Sequence, residues 1–155
     1  MPDLATHLAS AYVAGRFVSF RRSAVYFYLG VLLPDLVSRP LHIVFPSTFW
    51  AAQSFHSPAV VFLFSWLISL FFRFDQRRKI FLALTASSVL HFLFDLTQKH
   101  LVAGYLWFFP FSLNKYSVGW IKPDDFVRYL PLTLLVVTAV YAVDALRRRK
   151  LTNRR

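Results

Sequence analysis

Apolar residues form several long runs along the chain, and polar or charged residues interrupt those runs at only a few positions. The runs predict membrane-embedded helices over residues 4–20, 24–33, 59–72 and 80–98, followed by a last helix that opens at residues 122–125. Each run is short for a bilayer, which needs about 20 apolar residues. We therefore predict an all-α integral membrane helical bundle with four to five membrane-embedded helices, whose polar residues lie near an interface.

Prolines and loop-forming residues predict the connections between these helices. Pro34 should end the second run, because a proline inside a helix removes one hydrogen bond and clashes with the preceding turn. We expect a helix break there, with Asp35 at the break. Two prolines in residues 39–57 predict a re-entrant or interfacial connection. Residues 101–123 combine aromatic residues with glycine and proline, which is typical of an interfacial loop.

The composition excludes several kinds of chemistry. The chain of 155 residues is 57% hydrophobic, with a mean hydropathy of +0.49, which is too apolar for a soluble domain of this length. We expect a single membrane-embedded domain over residues 1–155. The absence of cysteine excludes disulfides, thiolate metal sites and a cysteine nucleophile. Glutamate is also absent, so any metal ligands must come from histidine and aspartate.

The positive charge is clustered rather than spread along the chain. The formal net charge is +11, and most of the 18 Lys and Arg residues lie in three groups at the edges of apolar runs. These groups are Arg16, Arg21 and Arg22; Arg73, Arg77, Arg78 and Lys79; and Arg147, Arg148, Arg149, Lys150, Arg154 and Arg155. The positive-inside rule explains them without a nucleic-acid partner. It predicts a multi-pass protein of the cell (inner) membrane with residues 146–155 as a basic, cytoplasmic C-terminal tail.

Ionisable residues interrupt the fourth run in a helical pattern. Steps of three and four residues separate Ser87 or Ser88 from His91, His91 from Asp95, and Asp95 from Gln98, which places them on one helix face. Burying such groups in hydrocarbon costs on the order of 2.5–3.5 kcal/mol each, so they are candidates for function. Together they could bind a divalent cation, or the carboxylate could orient the imidazole. Alternatively, a His–Asp hydrogen bond merely packs two helices together.

The predicted topology brings further candidates to the same membrane face. With the basic groups in the cytoplasm, the polar ends of four segments lie on the non-cytoplasmic side. The candidate ligands there are His7, Asp35, His56, His91, Asp95 and His100. His100 follows Asp95 by five residues, about 140° round a helix, so it joins them only if the helix bends or ends first. Imidazole and carboxylate donors suit Zn²⁺, Mn²⁺ or Fe²⁺, with zinc favoured for hydrolysis.

Several short motifs, taken in order, resemble the YdjM family of membrane-bound metal-dependent hydrolases. The motifs are Thr6-His7, Gly30-Val31-Leu32-Leu33-Pro34-Asp35, Phe55-His56-Ser57, Leu90-His91-Phe92-Leu93-Phe94-Asp95-Leu96-Thr97 and Phe109-Pro110-Phe111-Ser112. That family is in turn distantly similar to zinc-dependent phospholipase C and P1 nuclease, all-helical enzymes whose metal cluster cleaves phosphoesters. The resemblance implies a core of that kind, with metal-ligand roles for His7, Asp35, His56, His91 and Asp95.

The chain departs from the family pattern in its acidic residues. Val37 stands where the family usually has a second acid, two residues after the Leu-Pro-Asp aspartate. Neither a glutamate nor an N-terminal tryptophan is present to complete a three-metal cluster of the phospholipase type. We therefore expect one or two metal ions rather than three.

These patterns favour hydrolysis of a phosphodiester or related ester of a membrane lipid at the non-cytoplasmic interface. A bound metal would activate water and stabilise the oxyanion, and Asp35 or Asp95 could act as general base if free of the metal. Arg39, Lys99 and Lys122 lie on the predicted site side. They could bind the phosphate of a substrate, or they could anchor the protein to lipid headgroups.

Two other classes of function compete with hydrolysis. A proton or metal-ion transporter would need the polar stripe to continue toward the cytoplasmic half of the bundle. Below Ser87, only Thr85, Ser65 and Ser69 are available for such a path. A non-catalytic membrane scaffold would bind no metal. No oligomeric state is predicted.

Overall fold

Six α-helices account for most of the described chain. The computed structural model describes residues 4–17, 24–99, 104–122 and 125–152. The helices are α1 (Leu4–Phe17), α2 (Ala24–Val44), α3 (Phe49–Phe55), α4 (Pro58–Leu70), α5 (Phe74–Thr97) and α6 (Phe126–Thr152), with a 3₁₀ turn at Pro46–Thr48 before α3. Within these described ranges the structure is all-helical, and β-structure is limited to two isolated bridges. The predicted all-α class is confirmed.

Helix α2 corrects the prediction of a break at Pro34. The helix continues through Pro34 and Pro40 to Val44, so Asp35 lies inside it. A proline lacks the N–H that would bond to the carbonyl four residues earlier, which here is the Gly30 carbonyl. The Ser88 hydroxyl on α5 donates to that carbonyl at 2.7 Å. A neighbouring helix therefore satisfies the freed group, as proline-containing membrane helices require.

Other boundaries also differ from the predictions. Most of the predicted connection over 39–57 is helical, because α2 covers its start and α3 its later part. Helix α5 begins at Phe74 rather than at residue 80, so the second basic group lies in its first turns. Helix α6 reaches Thr152, so the predicted basic tail is mostly helical. Parts of these predictions, including Arg21, Arg22 and the start of the predicted loop, fall on residues 18–23, 101–103, 123, 124 and 153–155, which lie outside the described residues.

Helices α2 and α5 run parallel to each other. Gly30 and Val31 on α2 contact Ser88 and His91 on α5 through hydrogen bonds, while Tyr26 meets Phe72 near the start of both helices. Helix α4 runs antiparallel to α5, since His56 lies beside Asp95 and Phe62 beside Phe81. Helix α1 also runs antiparallel to α5. Helix α6 runs parallel to α1, since Ala9 and Leu132 line one groove and, further along both helices, Arg16 pairs with Asp144.

Among the described residues, three helices are long and apolar enough to cross a membrane. The candidate spans are Ala24–Val44, Phe74–Thr97 and Arg128–Leu146, which is fewer than the four to five embedded helices predicted. Because two of these spans are parallel, the chain between them must return to its starting side. Helix α4 makes that return with 13 residues. Its length is about 20 Å, shorter than the hydrocarbon core of a bilayer, which is about 30 Å thick. The fold is that of a membrane protein with short helices beside full-length ones.

The loop over residues 104–122 closes the end of the bundle at which α5 terminates. Backbone N–H groups of Val118, Trp120 and Ile121 donate to the carbonyls of Leu96 and Thr97. These bonds satisfy the last carbonyls of α5, which have no partner within the helix. The Gln53 side chain donates to the Gly104 carbonyl at 2.8 Å and so joins this loop to α3. The loop is thereby fixed against the helices rather than free in solvent.

Candidate metal centre

Five buried polar residues meet at the end of the bundle that the loop covers. His7 comes from α1, Asp35 from α2, His56 from the turn before α4, and His91 with Asp95 from α5. None of these residues is more than 3% exposed. The structure therefore brings together five of the six histidine and aspartate residues that the sequence analysis selected. His100, the sixth, lies outside the described residues.

The Asp95 carboxylate lies at the centre of this group. His56 Nε2 is 2.7 Å and His91 Nε2 is 3.2 Å from Asp95 Oδ2, and His7 Nε2 is 3.5 Å from Oδ1. Among the described residues, its ion-pair partners are these three imidazoles, with no Lys or Arg. The spacing of His91 and Asp95 by four residues puts both on one face of α5, as predicted from the sequence.

Two of the imidazoles present an unprotonated nitrogen to Asp95 when they are neutral. His91 Nδ1–H donates to the Val31 carbonyl at 2.7 Å, which leaves Nε2 with its lone pair facing the carboxylate. The Ser38 hydroxyl donates to the Pro34 carbonyl at 2.8 Å, so at 3.2 Å it accepts from His56 Nδ1–H. His56 Nε2 and Asp95 Oδ2 are then two acceptors 2.7 Å apart. Only a cation or a proton between them makes that contact favourable.

Other atoms of the group also lack partners. Within the described part of the chain, His7 Nδ1 and Nε2, His91 Nε2, Asp95 Oδ1 and Asp35 Oδ1 have no hydrogen-bond partner, whereas Asp35 Oδ2 is paired with Arg39 at 2.7 Å. An unsatisfied buried polar group typically costs about 1–3 kcal/mol. Native structures keep so many unpaired acceptors together mainly where a ligand or ion occupies the space between them. The orphaned atoms therefore point into a shared site.

The donor set has the chemistry and spacing of a metal site. Two overlapping groups, His7 with Asp35 and His91, and His56 with His91 and Asp95, each bring their donor atoms within 4.8 Å of one another. Two ligand atoms about 2.0–2.1 Å from a zinc ion, at a tetrahedral angle, lie about 3.4 Å apart. The separations around Asp95, from 2.7 to 3.5 Å, are close to that value. These buried groups could hold one metal ion or two adjacent ions.

A proton on one imidazole is the alternative to a metal ion. On His56 it would satisfy the short contact with Asp95. A proton on His56 would still leave the free ring nitrogens of His7 and His91 without hydrogen-bond partners. The rings of His7 and His91 stack on each other, with centroids 3.8 Å apart and planes inclined by 14°. A further proton on each of these stacked rings would place two like charges side by side. A metal ion instead accepts lone pairs from several imidazoles at once.

Arg39 forms the rim of the group. Its guanidinium lies 2.7 Å from Asp35 Oδ2, and its side chain is 38% exposed, so it faces both the buried carboxylate and the outside. Its Nε is buried and forms no hydrogen bond with the described residues. Lys99 and Lys122 are exposed, and the structure records no contact between either of them and the five buried residues among the described part of the chain. Of the three predicted phosphate-binding residues, Arg39 is the one in contact with the group.

Tyr105 is part of the site and was not predicted. It is 3% exposed, and its ring stacks on His56 with centroids 5.5 Å apart. Burial, and then the negative charges of Asp95 and Asp35, raise the pKa of the Tyr105 phenol, which therefore stays neutral and able to donate. Two backbone hydrogen bonds to Tyr116 hold it in place. No local pattern distinguishes it from the other six tyrosines of the chain.

The serines below the group are used for helix packing. Ser87 and Ser88 donate to carbonyls on α5, and Ser88 also to Gly30. Ser65 and Ser69 donate to carbonyls of their own helix, α4. These hydroxyls are separate local bonds rather than a connected polar path. Thr85, the remaining residue predicted for such a path, has a buried hydroxyl with no hydrogen-bond partner among the described residues.

Comparison of the chain with protein-family models, curated proteins and solved structures found no match. The fold and the site by themselves define a class. The protein is a helical membrane protein with a buried His/Asp group that could bind a metal ion.

Proposed function

We propose that the protein is a membrane-bound, metal-dependent hydrolase that cleaves phosphodiester or related ester bonds of membrane lipids. The observation that carries the proposal is the convergence of three buried imidazoles, those of His7, His56 and His91, on the Asp95 carboxylate, with nitrogens of His7 and His91 that have no hydrogen-bond partner among the described residues. A purely structural His–Asp pair would need no third and fourth partner. The position of the group at one end of membrane spans favours a substrate that lies in the bilayer.

Each residue of the site has a role in this proposal. His7, His56, His91, Asp95 and Asp35 would hold one or two divalent ions, with zinc favoured by the mixture of nitrogen and oxygen donors. When bound, such an ion would act as a Lewis acid that activates water and stabilises negative charge on the phosphoryl oxygens. The residues also include two carboxylates, so one not occupied by the metal can accept a proton from water.

Substrate binding falls to Arg39 and Tyr105. The Arg39 guanidinium can turn from Asp35 to a phosphate, for which its planar set of donors is suited. The neutral Tyr105 hydroxyl can donate a hydrogen bond to an ester oxygen. Overall, water adds across the ester: the P–O bond breaks, the phosphorus gains the hydroxyl, and the departing alkoxide receives the proton. We place this reaction at the non-cytoplasmic face, opposite the basic groups.

The first test measures metal in protein purified in mild detergent without a chelator. We expect about one equivalent or more of a divalent transition metal by elemental analysis, because neutral-pH His and carboxylate sites bind tightly. His91→Ala and Asp95→Ala should each remove most of that metal and most hydrolysis of a phospholipid panel. Both variants should still insert, since alanine keeps helix propensity.

Gln98→Ala is the control, because Gln98 is buried close to Asp95 but is not one of the grouped metal donors; α5 ends at Thr97, so Gln98 is the extended residue after the helix rather than part of the predicted helix face. It should retain its metal. A packing role for His91 and Asp95 makes the opposite forecast, with lower thermal stability and normal metal content. Less than about one tenth of an equivalent in the unaltered protein would contradict the proposal.

A further inference from the structure

An apolar groove lies between α1, α5 and α6, beside the candidate metal centre. Its volume is about 390 Å³, within the range of about 300–1,000 Å³ that is usual for small-molecule sites. Small residues of α1 form its floor, and larger apolar residues of α5 and α6 form its walls. The apolar lining residues include Ala9, Val13, Leu90, Phe94, Leu132 and Val136.

The groove offers an apolar surface with few free polar atoms. Thr6, Ser10 and Thr133 lie in its wall, and the Ser10 hydroxyl donates to the His7 carbonyl at 2.8 Å and the Thr133 hydroxyl to the Tyr129 carbonyl at 3.0 Å. Both hydroxyls are thus already used within their own helices. A cavity with such a lining stays dry and favours a hydrocarbon ligand over an ion or a lipid headgroup.

The groove is continuous with the surface that faces the lipid. None of the span Arg128–Leu146 of α6 is buried, whereas 44% of the span on α5 is. Leu132 and Val136 line the groove and are 58% and 41% exposed. The Arg16–Asp144 ion pair holds α6 to α1 at the opposite end. In the bilayer, lipid acyl chains already surround α6. One of these chains can therefore enter the groove from the side without leaving the hydrocarbon region.

The same groove is next to the metal centre. Leu90 and Phe94 in its wall each precede a site residue on α5, namely His91 and Asp95. The Phe94 ring meets the His7 ring edge-on, with centroids 6.4 Å apart. One aromatic side chain therefore separates the groove from the group of histidines.

We propose that this groove binds one acyl chain of a membrane phospholipid and thereby positions the lipid's ester for the metal centre. The catalytic part rests on the proposed function, whereas occupation of the groove can be measured without any turnover. The occupant is an intact diacyl phospholipid, because an acyl chain that enters from the bilayer brings its headgroup to the end of the bundle at which the site lies.

The test compares two identical substitutions on different surfaces. Ala9→Phe fills the groove, while Ala139→Phe adds the same ring to an exposed position of α6 that does not line it. Delipidated protein in mild detergent receives palmitoyl-oleoyl phosphatidylglycerol, palmitate or glycerophosphoglycerol, and native mass spectrometry counts bound molecules. We expect one bound phospholipid in the unaltered protein and in Ala139→Phe, and about a tenfold weaker affinity in Ala9→Phe. Metal content should be equal in all three.

The outcomes separate the two proposals. Equal phospholipid binding by Ala9→Phe and Ala139→Phe would contradict the proposal that the groove binds a phospholipid. Binding of palmitate or glycerophosphoglycerol in place of the phospholipid would contradict it as well. If Ala9→Phe does not fold, as judged by circular dichroism and thermal unfolding in detergent, Val136→Trp fills the groove from α6 and is read in the same way. A protein that binds one phospholipid in the groove but never hydrolyses it would refute the proposed function and leave the groove established.

Discussion

At the scale of single residues, Ser38 determines which nitrogen of His56 faces Asp95. The hydroxyl donates to the Pro34 carbonyl and accepts from His56 Nδ1–H, so the imidazole ring is held in one tautomer and one orientation. The Val31 carbonyl does the same for His91. Partners of this kind, one step away from the metal, orient the ligands that bind it.

Removing the Ser38 hydroxyl should therefore weaken metal binding without unfolding the protein. For Ser38→Ala we expect a loss in metal affinity of about 10–100-fold, because the His56 ring loses the acceptor that fixes it. Competition against a coloured chelator measures the affinity.

Ser65→Ala is the matched control for this change. Ser65 is equally buried, but its hydroxyl donates only to Val61 in its own helix. Its loss should leave the metal affinity as it was. Equal affinities in the Ser38 and Ser65 variants would mean that Ser38 does not orient His56.

The difference between what was predicted and what was missed at this scale has a physical cause. His91 and Asp95 could be found because charged groups are costly in an apolar run, so their presence is itself a signal. Ser38 and Tyr105 carry no such signal. Serine is tolerated in membrane helices for many reasons, and a tyrosine among other aromatic residues reads as an interfacial anchor. Only the three-dimensional structure shows that both contact His56.

At the scale of whole elements, the parallel pair α2 and α5 depends on the close approach at Gly30. A Cβ atom at this position would overlap the Ser87 hydroxyl and the Leu84 backbone. The contact brings Ser88 close enough to supply the hydrogen bond that Pro34 cannot. The local rule for proline predicts a break because it considers α2 alone, and the donor that restores the helix comes from residues far along the chain.

We expect Gly30→Ala to destabilise the protein by about 1–3 kcal/mol, since an added methyl group in a tight helix contact forces the two backbones apart. Thermal unfolding in mild detergent measures the effect. Gly15→Ala is the comparison, because a Cβ there meets nothing within 4 Å. That variant should be unchanged or more stable by about 0.5–1 kcal/mol, the helix preference of alanine over glycine. Equal melting temperatures for the two variants would contradict the role given to Gly30.

At the scale of the whole molecule, the described members of the three basic groups and the candidate metal centre occupy opposite ends. Contacts between Arg16 and Asp144 and between Tyr26 and Phe72 place those described basic residues at one end, away from Asp95. This separation could be predicted from the sequence, because charge placement relative to apolar runs needs no tertiary information. The number of spans could not, because α1 and α4 are held by contacts with neighbours rather than by their own length.

The orientation can be tested by labelling, since the chain contains no cysteine of its own. Asn114→Cys and Gln76→Cys place single exposed thiols at the two ends of the bundle. In intact cells, an impermeant thiol reagent should label the cysteine at position 114, and the one at 76 only after permeabilisation. The reverse pattern would place the candidate centre in the cytoplasm and require a different pool of substrate.

The order of the helices along the chain also sets the order in which the centre is assembled during synthesis. His7 and His56 belong to α1 and to the turn before α4, and both leave the ribosome before α5 does. A nascent chain halted before α5 would hold two imidazoles without the carboxylate that lies between them. Because α5 carries both Asp95 and His91, its arrival delivers the second carboxylate and the third imidazole in a single event.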